Sequence, residues 1–329
     1  MKVRLKDIAD RTGLSIAAVS RALADKNDIS DKTKEMVHRL AAEMGYIPNI
    51  NARNMKTGRN NTVGLLTCHL VNTLTAMYTS YLNRKLQQKN IKLLFAEFSE
   101  KSIEWLLQNG VDAIIAGSMF VPEMTQQLKD ISKRSLGNDF PIITFGTTHA
   151  PDTDSIMLDY AASGKKLASH LYDNGCRTLL IISGGLLSKR EEGILCAAAE
   201  RGLPPPEIIL DREMTLESEY RIIKEYLQKT AKLPDGLVIH NNHTAMAVLT
   251  ALREAGIQIP RDIRTTILED AGIGSYFIPP QTTCGFNHIL LSDQLWEILE
   301  YRLDNPGSRN GDIIKQIPSI LTVRESSGE

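Results

Sequence analysis

The stretch Leu14-Ser15-Ile16-Ala17-Ala18-Val19-Ser20-Arg21 decides how the first sixty residues are read. Thr12-Gly13 before it supplies a tight turn, because glycine enters left-handed backbone geometry without a Cβ penalty. Ser15 is a good N-cap, so the spacing predicts a short helix over 15–24. One face of that helix is apolar (Val19, Ala22, Leu23). The other carries small polar groups and one arginine. Such a helix can pack on a small domain and still lie in a DNA groove. Working outward, Leu5, Ile8 and Ala9 share one face of a helix over 5–12. Asp25-Lys26-Asn27-Asp28 reads as a loop. Ser30 caps a third helix, roughly 31–44, whose apolar stripe is Met36, Val37, Leu40, Ala41 and Met44. Three short helices with a glycine turn between the first two make a helix-turn-helix arrangement. A generic three-helix bundle is the plainer alternative.

Charge separates the two readings. The whole chain carries −1, but residues 1–60 hold twelve Lys/Arg against seven Asp/Glu, a balance of +5 that leaves −6 for the rest. A basic head on a mildly acidic body points to an anionic polymer as partner of the head. Gly45-Tyr46-Ile47-Pro48-Asn49 ends this unit. The segment that follows, 51–59, is polar and basic with one large apolar residue, Met55. Alone it is a marginal helix or a linker.

From Thr62 the texture changes. Apolar strands are expected at Val63–Leu66, Ile91–Ala96, Val111–Ala116 and Pro141–Phe145, and then at Thr178–Ser183, Glu207–Leu210, Gly236–His240 and Arg264–Leu268. Helical stretches alternate with them: Tyr78–Lys89, Ser102–Asn109, Pro122–Lys133, Ala162–Asn174, Lys189–Arg201, Glu217–Thr230 and Thr244–Ala255. This βαβα order implies mostly parallel sheets with helices on both faces, in two units of similar size with a cleft between them. Ligands bind beyond the carboxyl ends of such strands, so the loops at 67–75, 145–149, 184–193, 240–243 and 269–276 are expected to face the cleft.

Other classes find little support. At 329 residues two to three domains are expected. No apolar run reaches membrane-spanning length, and the charged start Met1-Lys2-Val3-Arg4 lacks the apolar region of a signal peptide, so a soluble cytoplasmic protein is expected. The four cysteines (Cys68, Cys176, Cys196, Cys284) form no close pair and read as free thiols, mostly buried, rather than a metal site. Neither a G-x-S-x-G elbow nor a G-x-x-x-x-G-K-[ST] loop occurs, and Ser183-Gly184-Gly185 is better taken as a strand-ending turn. No catalytic residues, cofactor or metal ligands are assigned. An enzyme, or a sugar-binding module without regulated DNA binding, is the alternative use of such a core.

The run Leu5-Lys6-Asp7-Ile8-Ala9, Gly13-Leu14-Ser15, Val19-Ser20-Arg21, Ser30, Thr33, Gly45-Tyr46-Ile47-Pro48-Asn49 and Ala52-Arg53 closely resembles the start of the lac-repressor/gal-repressor family of bacterial transcription factors. Looser matches continue through the core. They include Val63-Gly64-Leu65-Leu66, Asn72, Asp159, Arg190 with Gly193, Asn241, Ile259-Pro260-Arg261-Asp262-Ile263, Pro279-Pro280-Gln281-Thr282-Thr283 and Val323-Arg324-Glu325-Ser326. The resemblance implies a helix-turn-helix head over 1–48, a hinge helix over 49–59, and a two-lobed core shaped like a periplasmic sugar-binding protein over 60–329. The lobes would be about 60–159 with 288–316, and 160–287 with 317–329, the chain crossing near 158–160, 287–290 and 317–319.

By the same resemblance, helix 15–24 enters the major groove. Ile16 and Ala17 then sit where operators are discriminated and can touch thymine methyls, while Arg21 is the candidate for a guanine. Ser15, Ser20 and Thr33 would hold phosphates, with plain capping as the alternative for Ser15. Asn49, Ala52, Arg53 and Met55 belong to the implied minor-groove helix, with Met55 as a wedge between base steps where the family usually has leucine. Two heads reading a pseudo-palindrome make a homodimer the expected unit, and no heptads follow residue 324 to suggest a tetramer. In the cleft, Arg190 and Asn241 match the family's ligand-binding residues, and Asn72 and Glu269 are further candidates. Gly146 and Asn242 stand where aspartates are usual, and Glu269 replaces an aspartate. A cleft with fewer acidic groups suits a sugar phosphate or sugar acid gripped by Arg190. A neutral sugar, or a site that binds little, remains an alternative. Repression is the commoner role in the family.

Overall fold

In the computed structural model, residues 3–46, 60–68, 73–117, 122–137, 139–184, 188–308 and 310–328 are described. The chain divides into two compact units, Met1–Asn60 and Asn61–Glu329.

The first unit contains α1 (Leu5–Thr12), α2 (Ile16–Ala22) and α3 (Asp31–Glu43). Gly13 ends α1 at φ 68°, the left-handed geometry the turn needs. Ser15 and Ser30 start the next two helices by accepting hydrogen bonds from the amides of Ala18 and Thr33. Their inner faces close a small core of Ile8, Ala9, Val19, Ala22, Val37 and Ala41. The expected positions Asn49, Ala52, Arg53 and Met55 lie outside the described residues.

The second unit holds two six-stranded sheets. Lobe 1 contains β1 (Thr62–Thr67), α4 (Thr73–Gln88), β2 (Lys92–Glu97), α5 (Glu100–Gln108), β3 (Ala113–Gly117), α6 (Pro122–Leu136), β4 (Ile142–Gly146) and β5 (Asp154–Leu158). Lobe 2 runs through α7 (Tyr160–Asp173), β6 (Leu179–Gly184), α8 (Lys189–Glu200), β7 (Glu207–Asp211), α9 (Leu216–Lys229), β8 (Gly236–Ile239), α10 (Asn242–Glu254), β9 (Arg264–Ile267) and β10 (Thr282–Phe286). The chain then returns to lobe 1 as α11 (His288–Asp304) and β11 (Ile314–Ile317), and to lobe 2 as β12 (Ser319–Thr322). The sheet orders are β11-β5-β4-β3-β1-β2 and β12-β10-β9-β8-β6-β7. Every pairing is parallel except β10 with β12. The chain thus passes between lobes at 158–160, 286–288 and 317–319.

The continuous apolar texture of the strands follows from burial on both faces. In β1, Val63 and Leu65 join Tyr78, Leu82 and Leu86 of α4 and Leu291, Leu295 and Ile298 of α11. Leu66 faces the other way, onto Ile103 and Leu106 of α5 and Leu128 of α6. Lobe 2 repeats the scheme. Ile181 and Val238 meet α7 and α8, while Leu180, Ile182, Leu237 and Ile239 meet α9 and α10.

The sequence reading did not place β5, α11 or β10 to β12. Two further expectations are corrected. Only Cys176 and Cys284 are buried, Cys68 is intermediate and Cys196 exposed. The loop after β4 does not carry His149 to the cleft. β4 and β5 are parallel neighbours with no helix between them, so 147–153 runs back to the amino end of β5. There His149 Nδ1 pairs with Ser155 Oγ at 2.8 Å and its Nε2 lies 3.2 Å from Asp312.

Candidate functional site

In the head, burial of Val19 and Ala22 turns the opposite face of α2 to solvent. Ile16 is 49% exposed, and Ala17 and Arg21 are exposed as well. The Arg21 Nε lies 3.4 Å from Asp28, with both side chains more than half exposed. Such a pair is screened and worth little, so the guanidinium can turn to a better anion. Ser15 is occupied as a cap through Ala18 N at 3.1 Å. Thr33 shares a 2.9 Å hydrogen bond with Ser30 at the start of α3. Ser20 is half-buried beside Arg21. The structure therefore brings Ser15, Ile16, Ala17, Ser20 and Arg21 onto one short helix, with Thr33 at the start of the next.

In the core, the carboxyl ends of β6, β8 and β9 are followed by Arg190, by Asn241 and Asn242, and by Glu269. The position of Arg190 is set by glycines. A Cβ on Gly164 of α7 would stand 2.0 Å from Arg190 O, and one on Gly193 of α8 would stand 2.0 Å from Ala161 O. Only hydrogen on those two carbons lets the helices approach this closely. The Arg190 guanidinium then lies 4.3 Å from the ring centroid of Tyr160, which packs edge-on against Phe286 at 5.1 Å. Tyr160 and Phe286 are the residues at which two of the crossings begin and end.

Asn241 caps α10, its Oδ1 accepting from Thr244 N at 2.9 Å. Asn242 is fully buried. Among the described residues, Arg190 Nε and both amide atoms of Asn242 are buried with no hydrogen-bond partner. Unpaired buried polar groups are costly, so a cluster of them marks a place suited to a polar ligand.

Glu269 is 2% exposed and joins the lobes, because its Oε1 accepts from Leu74 N, at the start of α4, at 3.2 Å. Burial pushes its carboxyl up. Arg190 and the amides of Leu74 and Asn242 oppose that shift, and Asp270 adds to it. Gly146, at the end of β4, offers only backbone. Asn72 lies outside the described residues. Beneath Arg190, Glu191 is buried, and burial would raise its carboxyl. The nearby His240, whose Nδ1 lies 3.8 Å from its Oε1, and hydrogen bonds from Ser183 and Ser188 outweigh that and hold it at about 2.

Sequence reasoning missed Tyr160, Glu191 and the Leu74 amide. Backbone donors leave no sequence signal, and a tyrosine after an aspartate reads as a helix start. The unpaired state of Asn242 shows only once its neighbours are in place.

Residues 4–49 match the bacterial regulatory proteins of the lacI family, and residues 168–327 match a periplasmic binding protein-like domain. The head of this chain is of the lacI family of bacterial regulatory proteins. The chain is 27% identical over 290 residues to the HTH-type transcriptional regulator AscG of Escherichia coli (strain K12), covering 83% of this chain and 84% of AscG. Its fold matches a lac repressor dimer bound to operator and the anti-inducer ONPF with a TM-score of 0.82 at 20% identity, covering all of both chains. It also matches a complex of the transcriptional regulator CelR with cellobiose, with a TM-score of 0.68 at 20% identity over 99% of this chain and all of that one. With this lacI-family head, the chain is a DNA-binding transcriptional regulator. Among the described residues no helix is long and apolar enough to cross a membrane, and no group of three or more His, Cys, Asp or Glu could hold a metal ion.

Proposed function

We propose that the protein is a repressor of carbohydrate-related genes that works in the bacterial cytoplasm, at the nucleoid. It binds a pseudo-palindromic operator as a homodimer and releases or tightens its grip when a sugar enters the core. The observation that carries this is the outward face of α2 on a basic head, joined in one chain to a cleft whose buried Arg190 Nε and Asn242 amide lack partners. Ile16 and Ala17 contact thymine methyls, Arg21 a guanine, and Ser15, Ser20 and Thr33 the phosphates. The hinge residues Asn49, Ala52, Arg53 and Met55 take the minor groove, with Met55 as the wedge.

The homodimer is supported by what the core leaves uncovered. Ile278 is 93% and Tyr276 83% exposed on one loop of lobe 2. In lobe 1, Thr75, Thr79, Ser80, Leu93 and Phe95 line a shallow groove beside the edge strand β2. The lac repressor dimer with operator and the CelR complex with cellobiose support the same arrangement and ligand class.

A neutral sugar fits the cleft better than a sugar phosphate or acid. Arg190, Asn241, Asn242 and Glu269 offer both donors and acceptors to hydroxyls, whereas an added anion would sit beside a buried carboxyl. Asn72 and Gly146 complete the proposed lining.

Two experiments test the reading. Selection of bound DNA from a random pool by the full chain is expected to return a two-fold-related motif, and residues 60–329 alone are expected to return none. A thermal-shift screen of sugars, sugar phosphates and sugar acids against the core is expected to yield neutral sugars. A ligand at a hundred times its Kd adds about 2.7 kcal/mol of stability. A selection that yields no motif removes the DNA reading, and a screen that yields no sugar removes the effector reading.

A further inference from the structure

Behind the cleft, one buried carboxylate is coupled to Asn241 through a single hydroxyl. Glu219, in the first turn of α9, is 4% exposed. Its Oε1 accepts from Thr244 Oγ1 at 2.7 Å. The same hydroxyl lies 3.1 Å from Asn241 Oδ1, which already accepts from Thr244 N at 2.9 Å. A hydroxyl has one hydrogen. With Glu219 ionised, both neighbours of Thr244 Oγ1 are acceptors, so the hydrogen can serve only one, and the charged, shorter contact takes it. The Asn241 contact is then left without a proton. With a proton on Glu219 Oε1, the carboxyl donates to Thr244 Oγ1, and the hydroxyl hydrogen turns to Asn241 Oδ1.

We propose that Glu219 is a positioning residue for Asn241, and that its protonation, relayed by the Thr244 hydroxyl, withdraws the Asn241 carbonyl oxygen from the cleft. In the ionised state Asn241 Oδ1 holds one backbone amide and keeps a lone pair for a ligand hydroxyl. In the protonated state both lone pairs are committed to the start of α10. The significance for the effector rests on the cleft reading above, but the relay itself does not.

The surroundings make Glu219 sensitive to pH. The titratable groups facing it are Asp211, from the end of β7, and His243, from α10. His243 Nδ1 lies 3.6 Å from Glu219 Oε2, which has no hydrogen-bond partner among the described residues. Asp211 is itself buried and holds Ser218 Oγ at 2.5 Å. Burial raises the Glu219 carboxyl and Asp211 adds to this, while the Thr244 hydrogen bond and His243 oppose it.

The test uses the full chain without ligand, labelled with ¹⁵N in asparagine side chains and ¹³C in glutamate carboxyls, with Asn241→Ser and Glu219→Gln identifying the two signals. The Asn241 amide is expected to shift with pH at the same midpoint as the Glu219 carboxyl carbon. Thr244→Val is expected to leave the carboxyl titrating while the Asn241 signal becomes flat. His243→Gln is expected to move the midpoint upward, because a neighbour that opposes the rise of the Glu219 carboxyl is lost. An Asn241 signal that is flat in the unaltered chain overturns the proposal, as does one that still follows pH in Thr244→Val. Since Thr244→Val keeps Glu219 in place, the result does not depend on whether Glu219→Gln folds. A sugar screen that finds nothing would remove the effector reading and leave this measurement standing.

Discussion

Glu191 shows how much one buried residue can contribute. Its carboxylate accepts from Ser183 Oγ at 2.6 Å and Ser188 N at 2.8 Å, one residue from Arg190. The gap between about 2 and the ordinary 4.5 is worth on the order of 3 kcal/mol. A carboxyl held low in the folded state contributes fully above its unfolded value. That contribution is lost as pH falls from about 4.5 toward about 2. Thermal stability is therefore expected to fall as pH drops across that window. Glu191→Gln is expected to lower the melting temperature at pH 7 and to flatten the acid dependence. An unchanged melting curve would show that the hydrogen bonds to Glu191 contribute nothing net. Arg190 sits above it, and Arg190→Lys is expected to weaken any sugar recovered by the screen about tenfold, since lysine cannot reproduce a planar fork stacked on Tyr160. Titration calorimetry of that sugar reads the change directly.

At the scale of elements, the α7–α8 pair is governed by two hydrogens where side chains would be. Gly193→Ala places a methyl against Ala161 O, so the helices must part. The expected cost is about 1–3 kcal/mol, with loss of sugar binding beyond what the stability change explains, because Arg190 travels with α8. Thermal melts paired with calorimetry separate the two effects. In the head, Ser15→Ala removes the cap of α2 and is expected to cost about 1 kcal/mol of head stability. Urea unfolding followed by circular dichroism on a head fragment checks it.

Most elements were legible because their apolar residues recur at helix or strand spacing. Among those that were not, β5 and β10 share a reason. Each carries polar residues whose partners are distant in the chain. Asp154 in β5 is buried only because Arg302 of α11 meets it through two hydrogen bonds, 2.7 and 2.8 Å. Thr282 and Thr283 in β10 are satisfied by Arg324 O and by Asp270. Read locally, those residues mark loops. The α2 face was legible in full, since exposure there follows from the helix period alone. The partners of Glu269 and Glu219 were not, since each pairing joins elements far apart in sequence.

At the scale of the whole molecule, the uneven charge and the uncovered loop of lobe 2 make separate demands. Ile278→Asp puts a charge where a second copy would bury an apolar side chain, and is expected to shift the chain toward monomer in sedimentation without altering its circular dichroism. A sedimentation profile identical to the unaltered chain would remove this loop from the interface. Operator affinity is expected to fall steeply as salt rises, because the +5 head neutralises phosphates and releases counterions.

The bond from Leu74 N to Glu269 Oε1 adds a consequence of its own. The lobes are tied by a contact the protein makes with itself, so a guest arriving between those two atoms does not fill a vacancy. It performs an exchange, giving up one internal acceptor for one of its own. Binding strength there is the difference between two similar bonds, and a small change in guest geometry can reverse its sign. Such a gate discriminates by the placement of one oxygen more than by the size of the molecule that carries it.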